Sequence, residues 1–214
     1  AVWALVPVGG GGAGIAGRSA NAADALGLGA VAANTDVSIK PIQADGTLGT
    51  ALVTGKTGTS GAFSLKLPTT VVSITSNIVI VVGTGANLMK AFVSSTSALN
   101  EVSPISAFIV KKIANNANKF PLSNFSTTET ADMYAQVKAK AILENINLTS
   151  AVSVDAALTT IEANAQIATT IAAAITTASN PDVPTTVCSA AAVGYVNTAK
   201  TNIFKSTISS TDFA

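Results

Sequence analysis

The chain has no histidine and a single cysteine, Cys188. Without histidine there is no Ser-His-Asp or Cys-His arrangement and no His-ligated metal. One cysteine excludes an intramolecular disulfide and a thiolate cluster. Cys188 reads as a small apolar core residue, with an intermolecular disulfide as the alternative in a secreted chain. Charge is scarce too: Asp, Glu, Lys and Arg make up 11% of the residues, against about 25% in ordinary soluble domains. Lys111 and Lys112 are the only adjacent cations. Phosphate-backbone binding needs clustered basic groups, so no nucleic acid partner is expected.

The eleven acids are dispersed. Asp45 fits a turn and Glu129 a helix cap. Asp155 and Glu162 lie a turn or two apart on one helix, with no second pair converging on them. Asp36 and Asp45 belong to no D-x-D-x-D-G array of the kind that holds calcium. The run Gly9–Gly12 is not followed by Lys-Ser/Thr, which excludes a phosphate loop of the Walker type. No catalytic, cofactor-binding or metal-binding residue is assigned, and the chain is expected not to be an enzyme. Aromatics are 5% of the residues, too few for a broad sugar-stacking platform.

No run is apolar enough to cross a membrane. Ile78–Val82 is the longest strongly apolar run, far short of the ~20 residues required. Ala156–Ala178 is long enough but carries Glu162, Asn164 and Gln166. The sequence has no initiator methionine and no basic leader segment. Read as a mature chain, it is expected to follow a removed signal peptide and to be secreted, extracellular or on the cell surface.

Alanine supplies much of the 48% hydrophobic content, and Thr, Ser and Asn supply most of the polarity. The net charge is +1. Net charge is what keeps monomers apart, so this surface has little defence against association. Such a chain associates by design or is solubilised, for instance by glycans. Asn124-Phe125-Ser126 and Asn147-Leu148-Thr149 match the N-glycosylation acceptor.

Three regions follow from the patterning. Residues 1–17 form an apolar, glycine-tethered arm: Ala1-Val2-Trp3-Ala4-Leu5-Val6-Pro7-Val8, then Gly9–Gly12 and Ala13-Gly14-Ile15-Ala16-Gly17. Eight extended residues reach about 26 Å, the length of a sheet edge. The arm could also be a disordered tail or an edge strand folding back on its own domain.

Residues 18–100 read as β. Val37, Ile39 and Pro41 alternate with Ser38 and Lys40. Asp45-Gly46 signals a hairpin. Ala51–Thr54 is a second strand. Phe63, Leu65 and Leu67 alternate with Ser64 and Lys66, ended by Pro68. Val71–Ile74, Ile78–Val82 and Leu88–Val93 complete the set, and Ile78–Val82 is apolar on both faces. Short strands with glycine turns at this spacing argue for a sandwich.

Residues 101–214 read as three to four helices. Ser103-Pro104 is a cap followed by a favoured first residue, with Ile105, Phe108, Ile109 and Ile113 on one face. Ser126-Thr127-Thr128-Glu129 is a capping box, with Met133, Val137 and Ala141 on one face. A third helix is expected from Ser153, with a seam of Leu158, Ile161, Ala165, Ala168, Ile171 or Ala172, and Ile175, ending at Asn180-Pro181. A weaker fourth is expected over Ser189–Phe204.

The segments Ala44-Asp45-Gly46-Thr47-Leu48-Gly49 and Gly58-Thr59-Ser60-Gly61-Ala62-Phe63-Ser64-Leu65-Lys66-Leu67-Pro68 resemble the carboxypeptidase-regulatory-like (transthyretin-like) β-sandwich of exported bacterial surface proteins. Val102-Ser103-Pro104-Ile105-Ser106 is similar to the step that opens the helical part of some of them. In lipoproteins of this kind a glycine run follows an acylated cysteine; here Val8 precedes Gly9, so no lipid can be attached there. The resemblance implies an α+β chain, an antiparallel transthyretin/Ig-like sandwich followed by helices, used as a surface, adhesive or structural module.

The expected function is that of a structural subunit in a pilus-like extracellular homopolymer, assembled by donation of residues 1–8 to a neighbouring subunit. Val2, Trp3, Leu5, Val6 and Val8 are the candidate interface residues. The partner is a second copy of the chain, possible glycans aside, and no cofactor is implied. The competing reading is a monomeric cell-surface adhesin or carbohydrate-binding module.

Overall fold

Alternation of apolar and polar residues builds the strands, and helical periodicity takes over after residue 103. A computed structural model describes residues 14–19, 26, 33–43, 45–69, 77–94, 99–115 and 125–178. These all belong to one unit, Ala1–Ser179; a second unit, Asn180–Ala214, lies outside the described residues. Outside them too are Ala1–Val8, the expected strand Val71–Ile74, the expected helix Ser189–Phe204 and Cys188.

The strands are β1 (Gly14–Ser19), β2 (Asp36–Pro41), β3 (Val53–Lys56), β4 (Ala62–Lys66), β5 (Ile78–Val82), β6 (Met89–Phe92) and β7 (Asn100–Val102). The helices are α1 (Pro104–Ala114), α2 (Thr127–Leu143), α3 (Val154–Glu162) and α4 (Ala165–Ala178). The protein is therefore α+β. One sheet has four strands in the order β3-β2-β5-β6, all antiparallel. The other has three, β4-β1-β7, with β1 antiparallel to β4 and parallel to β7.

The β2–β3 hairpin turns where Asp45-Gly46 predicts it. Gly46 has φ of +82°, which glycine adopts without the Cβ penalty. The Asp45 carboxylate accepts bonds from the Thr47 N–H (3.0 Å) and hydroxyl (2.7 Å), closing the loop. Regular pairing of β3 starts at Val53, two residues later than the sequence suggests. The chain before it already bonds β2, through Gly49 N–H to the Pro41 carbonyl and Leu52 N–H to that of Ile39.

Every residue of β5 is buried. Ile78, Ile80 and Val82 join Ile15, Phe63, Leu65 and Val102 of the three-stranded sheet in one core cluster. Val79 and Val81 point the other way, into a second cluster with Phe108, Ile109, Met133, Val137, Ile161 and Ile171 from the helices. The four-stranded sheet is thus covered on both faces, which explains its unbroken apolar run.

The helix starts follow the sequence. The Ser103 hydroxyl accepts the Ser106 N–H (3.3 Å) and Pro104 opens α1. Ser126 and Glu129 form the reciprocal box of α2, and Ser153 caps α3. The expected single helix from Ser153 to the 180 region is instead two. Asn164 turns the chain, its Oδ1 accepting the N–H groups of Gln166 and Ile167 at 3.0 Å each. The buried positions step from Ile161 to Ile167, six residues on, and Ala165 of the expected seam is exposed.

Residues 14–17, assigned to the arm from sequence, lie in β1 at the centre of the three-stranded sheet. Glycine is what fits there. A Cβ on Gly17 would stand 2.3 Å from the Phe63 ring and 2.6 Å from the Asn100 carbonyl oxygen.

Candidate functional site

Hydrogen-bond parity along β6 defines its free side. Val93 N–H donates to the Ile78 carbonyl, so Val93, Ala91 and Met89 turn their main-chain groups toward β5. Lys90 and Phe92 turn theirs outward, because β6 ends the sheet. Two side chains tie down the ends of this edge. The Ser106 hydroxyl lies 2.9 Å from the Lys90 carbonyl oxygen. The Asn100 side chain accepts the Ser94 N–H at 2.9 Å and donates to the Ala16 carbonyl at 3.0 Å, joining the two sheets. Between these ties the Phe92 N–H and C=O face outward with no hydrogen bond on that side among the described residues.

A groove of about 180 Å³ lies at this edge. Phe92, Leu99, Ile109 and Ala131 give it an apolar lining, and Glu101 and Tyr134 a polar rim. Leu99 is 54% exposed, one of four exposed large apolar side chains among the described residues, beside Ile142, Leu143 and Val152. The rim is neutral. Lys138 bonds both Glu101 oxygens at 3.0 Å and sits 5.6 Å from the centroid of the Tyr134 ring. The site can therefore take an uncharged apolar side chain beside a strand edge. It offers no charged recognition.

A second groove, of about 230 Å³, lies among the β2–β3 and β5–β6 turns, α1 and α3. Asp45, Lys90, Lys111 and Asp155 line it. Its charges are largely spent within the chain. The Thr47 bonds hold Asp45 below the usual carboxylate range. Lys111 and Lys112 both pair with Glu162, at 3.1 and 3.2 Å. Burial raises the Glu162 carboxyl, and the two lysines outweigh it, so the net shift is downward. Burial also pushes the Lys90 ammonium below the usual lysine range. Among the described residues, no group of three His, Cys, Asp or Glu could hold a metal ion, and no helix is long and apolar enough to cross a membrane.

The sequence-derived interface residues Val2, Trp3, Leu5, Val6 and Val8 lie outside the described residues. The groove at the β6 edge is not legible in the sequence. Its lining comes from β6, the residues before β7, α1 and α2, and the one local hint is Leu99, the only large apolar residue in the stretch 94–101. Compared with known proteins, the chain matches no family model, no curated protein and no solved structure.

Proposed function

We propose that this chain is a structural subunit of an extracellular filament, in which residues 1–8 of one subunit add a strand to the β6 edge of the next. In this reading the two sheets form a sandwich of the transthyretin/Ig-like type, exported and displayed at the cell surface. The observation that carries it is the β6 edge: Phe92 presents its main-chain N–H and C=O beside a neutral, apolar groove. The occupant suits that groove, since residues 1–8 are apolar and uncharged. Main-chain pairing would give affinity and alternate side chains specificity. Alternation places Trp3, Leu5 and Pro7 on one face and Val2, Val6 and Val8 on the other. Pro7 has no N–H, so pairing ends or meets open edge there. The arm and the edge are different surfaces, and a head-to-tail contact of that kind generates an open helical assembly. The net charge of +1 adds little repulsion between subunits.

The test is electron microscopy of the full chain beside a variant lacking residues 1–8. Regular filaments from the full chain, and soluble monomers from the truncation that reassemble with a peptide of residues 1–8 fused at their C-terminus, are expected. A full chain that stays monomeric at high concentration overturns the reading and favours a monomeric surface adhesin, to be tested next on a glycan panel.

A further inference from the structure

The turn between α2 and α3 carries the sequence Asn147-Leu148-Thr149 in an unusual setting. α2 ends in a left-handed residue, Asn145, with φ of +53°. Ile146 N–H donates back to the Ala141 carbonyl and Asn145 N–H to that of Ile142, each at 3.0 Å. This is the paired C-terminal bonding of a Schellman turn. The chain leaves it with apolar and polar residues alternating. Ile146 packs on the helix-side core and Leu148 is fully buried. Asn147 and Thr149 are both exposed.

The two exposed side chains meet. The Thr149 N–H and hydroxyl both donate to Asn147 Oδ1, at 3.0 and 2.6 Å. Both bonds end on the amide oxygen. Among the described residues none ends on Nδ2, which is left to solvent. In the other matching triplet Asn124 lies outside the described residues. Phe125 is buried, and the Ser126 hydroxyl accepts the Glu129 N–H as the cap of α2. Ser126 is thus committed to capping α2, whereas Thr149 bonds the asparagine of its own triplet, and Asn147 and Thr149 are both exposed.

We propose that Asn147 is an N-glycan acceptor. Asn147 Nδ2 would displace diphosphate from the anomeric carbon of a polyprenyl-diphosphate-linked saccharide. A C–N bond forms and the anomeric C–O bond breaks. The polyprenyl diphosphate leaves with the electron pair, and the amide proton passes to a base of the transferase. A saccharide here would hydrate a surface that has few charges of its own. It would also leave the β6 groove open: α2 lines that groove near Tyr134, and nine residues of helix, about 13 Å, separate Tyr134 from the end of α2. The inference concerns the acceptor site and does not depend on strand donation. In the cell it requires the exported location proposed above.

The test uses the folded full chain, a purified oligosaccharyltransferase with Asn-x-Ser/Thr specificity and a polyprenyl-diphosphate oligosaccharide, with peptide mapping by mass spectrometry. Occupancy at Asn147 is expected, retained at a several-fold lower rate in Thr149→Ser and absent in Thr149→Ala and Asn147→Gln. Circular dichroism checks that each variant is folded. The proposal is overturned if Asn147 stays bare while a free peptide of residues 143–152 is modified in the same reaction, or if both stay bare beside a modified control peptide. Modification at Asn124 with Asn147 bare overturns it as well. Export is read separately, by fractionating the producing cells, so the acceptor site and the location can fail independently.

Discussion

The two sheets use the same backbone chemistry and read very differently. In the three-stranded sheet, β4 buries Phe63 and Leu65 and exposes Ser64 and Lys66. In the four-stranded sheet, β5 buries all five of its residues, Ile78 to Val82. The first sheet has one face on the core, whereas the second lies between that core and the helices. A strand's pattern therefore reports how many of its faces are covered, and layer order is partly readable from patterning alone.

The contrast can be broken most forcefully on the helix side. Phe108 is fully buried in the cluster that joins α1 to Val79 and Val81. Phe108→Ala is expected to cost about 3–5 kcal/mol in urea unfolding. Ser64→Ala, on the exposed face of β4, should stay within about 0.5 kcal/mol. Similar costs for the two would mean that the helices do not complete a core on this sheet.

Within the three-stranded sheet, glycine sharpens the picture. Gly17→Ala drives a methyl group toward a ring and a carbonyl oxygen, and should cost about 1–3 kcal/mol. Gly14→Ala meets nothing within 4 Å and should be close to neutral on that count. Equal effects at the two positions would show that β1 does not sit against Phe63 and Asn100.

The smallest effect probes the half-covered side of β6. Lys90 is partly buried and its ammonium is pushed below the ordinary lysine range by desolvation. Between the folded and unfolded pKa the unfolded chain binds more protons, so stability rises with pH across that window. Lys90→Met should therefore be more stable than the parent at neutral pH, with the margin shrinking as pH climbs toward about 10.4. Urea midpoints across that range check the sign, and a margin that widens with pH would contradict it.

The arm illustrates a limit of composition. Glycine-rich sequence from residue 9 to residue 17 reads as a tether, because glycine weakens strands. At Gly17 the same residue serves close packing in a central strand, and the distinction depends on Phe63 and Asn100, far away in sequence. β7 is equally hidden. Three residues, Asn100 to Val102, carry no periodicity of their own and become a strand by lying parallel to β1. In the long helical stretch the three-to-four-residue apolar spacing runs on through the Asn164 break, so periodicity joined what a local side-chain cap divides.

By itself the sequence determined what short-range physics controls. Side-chain alternation set the faces of β2 and β4, Asp45-Gly46 set the hairpin turn, and Ser103, Ser126 and Ser153 set three helix starts. Each depends on residues within a few positions of one another. Tertiary structure alone decided that β1 enters a sheet, that β7 pairs with it, and that the edge of β6 opens on a groove built from four separated segments. Those features come from close packing and from main-chain groups left over after pairing, and both depend on which distant segments arrive at the same place.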